Sequence, residues 1–169
     1  MPRKISILGA TGSIGQNTID LIRRVPDGYD VVALTGAGNI AQLAADAKAL
    51  NAEVAVTARE DLLDDLRDAL SGSGIEAAAG SDAITEAASR PADWTMSAII
   101  GAAGLAPGLA ALRQGGTLAL ANKESLVCAG ALIMGEAKRH GATILPVDSE
   151  HSAVFQALVG EDMTAVERV

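Results

Sequence analysis

Three short segments carry residue types at spacings that could act on a ligand. Gly9-Ala10-Thr11-Gly12-Ser13-Ile14-Gly15 is a G-x-x-G-x-x-G run. Its glycines permit a tight turn and close backbone approach to a pyrophosphate, and the N–H groups and dipole of a following helix favour the anion. Asn122-Lys123-Glu124-Ser125 sets an amide, a cation and a carboxylate in succession. Such a set can read a phosphorylated or polyhydroxyl ligand, or be a helix start with Asn122 as N-cap and Glu124 in the first turn. Asp148-Ser149-Glu150 places two carboxylates two residues apart. In an extended segment they point the same way and could grip one divalent cation, which would polarise a ketone or alkoxide. A third ligand would have to come from elsewhere, and a capped, acidic helix start is the alternative.

These segments need a scaffold, and the hydrophobic pattern supplies one. Apolar runs predict strands at 5–8, 29–34, 53–57, 75–79, 95–100, 117–121 and 143–147. Helical spacing predicts helices at 14–25, 40–50, 59–71, 81–88, 109–114, 124–139 and 152–158. Near-continuous apolar strands such as Ser97-Ala98-Ile99-Ile100 suit a parallel sheet buried on both faces. Gly72, Gly115 and Gly141 stand where left-handed helix caps fall. The expected fold is α/β, a Rossmann-like, doubly wound, mostly parallel sheet, with only the start of a second domain. The glycine run lies between the first strand and the first helix, the context that separates a dinucleotide turn from a plain glycine-rich one. After Pro146 the pattern changes, and Thr164-Ala165-Val166-Glu167-Arg168 reads like an incoming strand, so the chain looks cut.

In the NAD-type fold an acidic residue ends the second strand and binds the ribose 2′-OH. Here the strand runs into Thr35-Gly36-Ala37-Gly38-Asn39, without a carboxylate. NADP is therefore favoured, yet no Arg or Lys stands in that stretch to attract a 2′-phosphate. Gly101-Ala102-Ala103-Gly104 follows another strand at the end where ligands collect, or forms a simple tight turn.

The remaining composition narrows the class. The 169 residues are 49% hydrophobic, with Tyr29, Trp94 and Phe155 as the whole aromatic set, so the core must be aliphatic. A net charge of −8 argues against nucleic acid or an anionic membrane as partner. No signal peptide or membrane span is visible. Cys128 is the single cysteine, which fits a reducing cytoplasm. It falls among Leu126, Val127, Leu132 and Ile133 and is expected in the core. His140 and His151 are expected on the surface or in structural hydrogen bonds.

Taken together, the chain resembles one family, the 1-deoxy-D-xylulose 5-phosphate reductoisomerases of non-mevalonate isoprenoid biosynthesis. The resemblance covers the whole chain. It rests on residues 7–15 and 100–105, and above all on Leu120-Ala121-Asn122-Lys123-Glu124-Ser125-Leu126-Val127 and the segment 145–156, Leu145-Pro146-Val147-Asp148-Ser149-Glu150-His151-Ser152 and onward. It implies NADPH bound by Thr11, Gly12, Ser13 and Ile14, with Gly38 and Asn39 near the adenosine end and Asn122 and Glu124 also on the cofactor. It implies Lys123, Ser149 and Glu150 on a phosphorylated sugar substrate, Lys123 and Glu150 as catalytic residues, and Mg²⁺ or Mn²⁺ on Asp148 and Glu150. The reaction implied is a metal-assisted rearrangement followed by hydride transfer, giving 2-C-methyl-D-erythritol 4-phosphate, in a cytoplasmic protein that is a homodimer at full length.

Two departures stand out. Many members carry lysine where this chain has Gly38 and glycine where it has Ala37. The family's third carboxylate ligand, mobile loop and C-terminal helical domain lie beyond residue 169. The resemblance divides the chain into an NADPH-binding domain, 1–147, and the beginning of a catalytic domain, 148–169. Two rivals remain. A nucleotide-sensing module would bind NADP without chemistry. A semialdehyde dehydrogenase would need a cysteine at a strand end, and Cys128 falls within a predicted helix.

Overall fold

A computed structural model describes residues 1–166. Along them β1 (Arg3–Leu8), α1 (Ser13–Arg23), β2 (Tyr29–Gly36), α2 (Ile40–Ala49), β3 (Val54–Thr57), α3 (Leu63–Ala69), β4 (Glu76–Ala79) and α4 (Ser81–Ser89) form the first half. The second half is β5 (Trp94–Ser97), α5 (Leu105–Leu112), β6 (Thr117–Leu120), α6 (Lys123–His140), β7 (Thr143–Pro146) and α7 (Ser149–Leu158). Short 3₁₀ turns occupy Glu60–Leu62, Gly101–Gly104 and Met163–Ala165. The strand expected at 164–168 is therefore a turn in its first part, and Glu167 and Arg168 lie outside the described residues.

The strands form one sheet in the order β4-β3-β2-β1-β5-β6-β7. Every neighbouring pair is parallel. The chain winds outward from β1 to β4, then returns to lay β5 against the other side of β1. That reversal opens a crevice at the carboxyl ends of β1 and β5, where ligands bind in open α/β sheets. Both sheet faces are covered, as the apolar strands require. Ile7, Leu34 and Ala55 pack against Ile19 of α1, Leu43 of α2 and Leu66 of α3. On the other face Val32 and Val56 meet Ile84 of α4, and Leu118 and Leu120 meet Leu112 of α5 and Ile133 of α6.

Helices α6 and α7 depart from expectation in ways that bear on the site. α6 is interrupted at Ala129, whose φ of −142° and ψ of 29° are non-helical. Across the break Leu126, Ala129, Ile133 and Ala137 still pack into one cluster. Ile133 stays buried, whereas Val127, Leu132 and Cys128 are exposed. Cys128 is thus not a core residue. α7 begins at Ser149, with Asp148 as its N-cap, and buries no residue. Gly141, at φ +67°, is the left-handed cap of α6 that the sequence indicated, whereas α3 and α5 are capped by Leu70 and Arg113 and the positive-φ Gly72 and Gly115 follow two residues later.

Candidate functional site

The glycine turn is built against β2. Gly9, at φ +90°, donates its N–H to Thr35 Oγ1 at 3.0 Å, and Ala10 donates to the Thr35 carbonyl at 2.6 Å. Gly15 packs α1 down onto this turn: a Cβ there would lie 2.4 Å from the Gly9 carbonyl oxygen and 2.5 Å from that of Ala10. Gly12 is the N-cap of α1 and brings no side chain to it, so the N–H groups of the first helical turn remain open to an anion. Thr11 and Gly12 line the groove. Ser13 is exposed at the helix start, and Ile14 packs against the core.

A buried network that the sequence did not announce holds this turn in place. Gln16 donates to the Ala10 carbonyl at 2.9 Å and to Asp46 at 2.6 Å. Asp46 is fully buried and also accepts from Gln42 and Arg23, the latter at 2.7 Å. A buried carboxylate needs such partners, and here they couple α1, α2 and the glycine turn. Its one sequence signal is an acid set among Leu43, Ala44 and Ala47, which form the buried side of α2.

The groove itself has a volume of about 590 Å³, within the range of small-molecule sites. Its walls are Thr11, Gly36, Ala37 and Ala58 on one side and Ile99 and Ala102 on the other. At the first wall Asn39 caps α2, accepting from the Gln42 N–H at 3.2 Å, and Gly38 lies exposed beside it. The second wall is fixed by Asn122, which is 3% exposed. Its amide nitrogen donates to the carbonyls of Ile99 and Gly101, and its oxygen accepts from the Ser125 N–H at 2.8 Å and hydroxyl at 2.9 Å. Asn122 therefore caps α6 and clamps the turn between β5 and α5.

Beyond Asn122 the polar residues converge. Lys123 opens α6, and its Nζ lies 3.7 Å from a Glu150 carboxylate oxygen. Glu124 is exposed in the same first turn. Asp148 caps α7: Oδ1 accepts from the His151 N–H at 3.0 Å and lies 2.7 Å from His151 Nδ1. Ser149 donates to Glu150 at 2.9 Å. Asp148 and Glu150 thus stand on a helix start rather than in the extended segment assumed for their common direction. What brings them to one place is the approach of β7 and α7 to the N-terminus of α6. Burial alone would raise the Asp148 pKa, but the His151 amide and ring and the charges of His151 and Lys123 together hold it below the usual range. Its own backbone N–H, the Ser149 hydroxyl and Lys123 lower that of Glu150. Both carboxylates are therefore ionised at neutral pH. Among the described residues no cluster of three or more His, Cys, Asp or Glu forms a complete metal site. Nor is any helix among them long and apolar enough to cross a membrane.

Comparison with known proteins adds an independent observation. The family model for 1-deoxy-D-xylulose 5-phosphate reductoisomerase matches residues 5–130. A reductoisomerase of that name from Ruegeria pomeroyi is 76% identical over 167 residues, covering 99% of this chain and 42% of the relative. The structure of the enzyme from Zymomonas mobilis in complex with NADPH superposes with a TM-score of 0.91 at 58% identity, covering 92% of this chain and 41% of that one. A DOX-P reductoisomerase in complex with magnesium gives 0.87 at 41% identity, covering 99% of this chain and 43% of that one. The chain thus spans less than half the length of the curated relatives it matches.

Proposed function

The chain belongs to the 1-deoxy-D-xylulose 5-phosphate reductoisomerase family, and from that premise we propose that it forms the NADPH-binding part of an enzyme. That enzyme converts 1-deoxy-D-xylulose 5-phosphate to 2-C-methyl-D-erythritol 4-phosphate by rearrangement and reduction. The carrying observation is the placement of one groove and one polar cluster at the same, carboxyl end of the sheet's strands. The glycine turn, with its open N–H groups, faces the groove. Lys123, Asp148 and Glu150 gather at the carboxyl ends of β6 and β7.

In this reading the turn at Thr11, Gly12 and Ser13 holds the pyrophosphate through backbone N–H groups, while Ile14 anchors α1 to the core. Gly38 and Asn39 border the adenosine. Asn122 has no spare polar side-chain atom and serves the cofactor by fixing the wall at Ile99–Gly101, with Glu124 exposed beside it. Lys123 places a positive charge for an anionic substrate, and Ser149 and Glu150 face the same space. Asp148 keeps Oδ2 free of hydrogen bonds among the described residues, and Glu150 is exposed, so each has an oxygen to give a divalent cation. When bound there, Mg²⁺ or Mn²⁺ supplies Lewis acidity to substrate oxygens. Two carboxylates do not complete a coordination shell, so these 169 residues bind NADPH without turnover. Residues 148–169 are assigned to the start of a second unit because α7 buries nothing against the first.

Titration with NADPH, read by cofactor emission, and an assay for substrate-dependent NADPH oxidation test the two halves of this proposal. Saturable binding without oxidation is expected. Absence of dinucleotide binding refutes the groove assignment, and measurable oxidation refutes the claim that the carboxylate pair is insufficient. A second reading, a nucleotide-sensing module without chemistry, is favoured by the lack of a three-ligand cluster among the described residues. It predicts that Asp148→Ala leaves divalent-cation binding unchanged, whereas the enzyme reading predicts its loss.

A further inference from the structure

The adenosine end of the groove presents a problem in charge. The turn after β2 holds Gly36, Ala37, Gly38 and Asn39, none of them a cation that could meet a 2′-phosphate. The turn after β3 lies directly beside it, because Gly36 pairs with Thr57 in the sheet. Two further bonds join the turns. Ala58 donates its N–H to the Gly36 carbonyl at 2.8 Å, and the buried Thr57 hydroxyl donates to the Ala37 carbonyl. The same hydroxyl accepts from the Arg59 N–H at 3.2 Å. One side chain thus fixes both the Ala37 carbonyl and the Arg59 backbone.

This arrangement carries the Arg59 side chain over the bare Gly38 backbone. A Cβ on Gly38 would stand 3.9 Å from Arg59 Cδ and 3.9 Å from Leu62 Cδ1. Ala58, the residue before Arg59, forms part of the groove wall. Asp61 holds the guanidinium from one side, accepting from Nε at 3.0 Å and from one terminal nitrogen. The other terminal nitrogen makes no hydrogen bond among the described residues. The side chain is 58% exposed, so it can turn to a ligand without uncovering the core.

We propose that Arg59 is the specificity-determining residue for the 2′-phosphate of NADPH, supplying from the β3 turn the cation that the β2 turn lacks. The proposal deepens the NADPH reading and rests on it. A guanidinium fork suits a phosphate better than a point charge does, and an arginine near the end of the second strand is one way this fold accommodates a 2′-phosphate. The Asp61 carboxylate holds the Nε edge of the fork, orienting it while offsetting part of its charge.

The test is binding, read by cofactor emission, of NADPH and NADH to the 169-residue chain and to Arg59→Ala and Arg59→Gln. The pair 2′,5′-ADP and 5′-ADP repeats the comparison by calorimetry without the nicotinamide. Wild type should prefer the 2′-phosphorylated ligand of each pair. Either variant should weaken binding of that ligand by about tenfold or more and leave the other within about twofold. The wild-type preference should also fall as salt is raised. A variant that keeps the wild-type ratio overturns the role of Arg59 while leaving the NADPH reading intact. Equal binding of both ligands by wild type overturns the role as well. If wild type binds none of the four, the NADPH reading itself falls.

Discussion

Replacing Asn122 separates two roles that one side chain combines. Asn122→Ala removes the N-cap of α6, a loss of about 1 kcal/mol. It also leaves the Ile99 and Gly101 carbonyls without their donor. Each unpaired carbonyl costs about 1–3 kcal/mol, and because this turn borders the groove and water can reach it, the lower end of that range applies. The sum is about 3 kcal/mol, a melting temperature lower by about 6–12 °C for a domain of this size. Asn122→Asp is the informative partner. Aspartate caps a helix as well as asparagine does and keeps the bonds from Ser125. Its second oxygen, however, would face the carbonyls of Ile99 and Gly101 as an acceptor among acceptors. The aspartate variant should therefore be at least as unstable as the alanine variant in urea denaturation, and both should bind NADPH more weakly. A stability for Asn122→Asp within about 1 kcal/mol of wild type would show that Asn122 is a cap alone and that the clamp on the Ile99–Gly101 wall carries no energy.

Three further outcomes are expected. Gly15→Ala pushes a methyl to 2.4–2.6 Å from the backbone of Gly9 and Ala10, so the glycine turn must shift; NADPH titration should show binding lost or weakened by more than about tenfold, and unchanged affinity would remove that turn from the site. Glu136 is held below the usual carboxylate range chiefly by its hydrogen bond from Arg113, and by the charges of Arg139, Arg113 and His140 against the cost of burial. A lowered folded-state pKa gives stability that is present above the ordinary glutamate range and lost as pH falls through the lowered value; urea midpoints followed from about pH 7 down to about pH 3, across the ordinary glutamate pKa of about 4.3, should drop less steeply for Glu136→Gln, and parallel curves would refute the assignment. Lys123→Ala breaks an ion pair whose side chains are 51% and 67% exposed; thermal unfolding should change by less than about 1 kcal/mol, so a larger loss would mean that Lys123 is structural.

The sheet was legible because a parallel strand buried on both faces must be written in aliphatic residues, and each of the seven runs stands between turn residues. What the pattern missed has physical causes. α5 starts at Leu105, ahead of the expected 109, and takes in Pro107 and Gly108; proline is tolerated in a first turn, where its missing N–H has no partner to lose. The break at Ala129 is hidden because alanine is the best helix former. Cys128 is exposed because it stands about 200° round the helix from Leu126, off the side on which Leu126, Ile133 and Ala137 pack. Arg59 was invisible as a neighbour of Gly38. Their proximity follows from the β2–β3 register, which turns on residues far apart in the chain.

Capping and ligand binding draw on the same atoms at the same place in this fold, which is why residue type alone left both open. Asn39, Asn122 and Asp148 each follow a parallel strand and each cap the next helix, accepting from the N–H groups of Gln42, Ser125 and His151. A helix that begins there begins where ligands collect. The distinction lies in what the cap leaves over. Asn39 keeps its amide nitrogen and Asp148 keeps Oδ2 free of hydrogen bonds among the described residues. Asn122 has spent its donor and its acceptor on the protein. On the proposed reading the first two cap and bind at once, and the third positions. Substitutions should divide the same way. Asn39→Ser and Asp148→Ser, which preserve a capping oxygen, should hold stability while losing affinity for adenosine or divalent cation. Asn122→Ser, which preserves the cap and not the clamp, should lose both stability and cofactor affinity together.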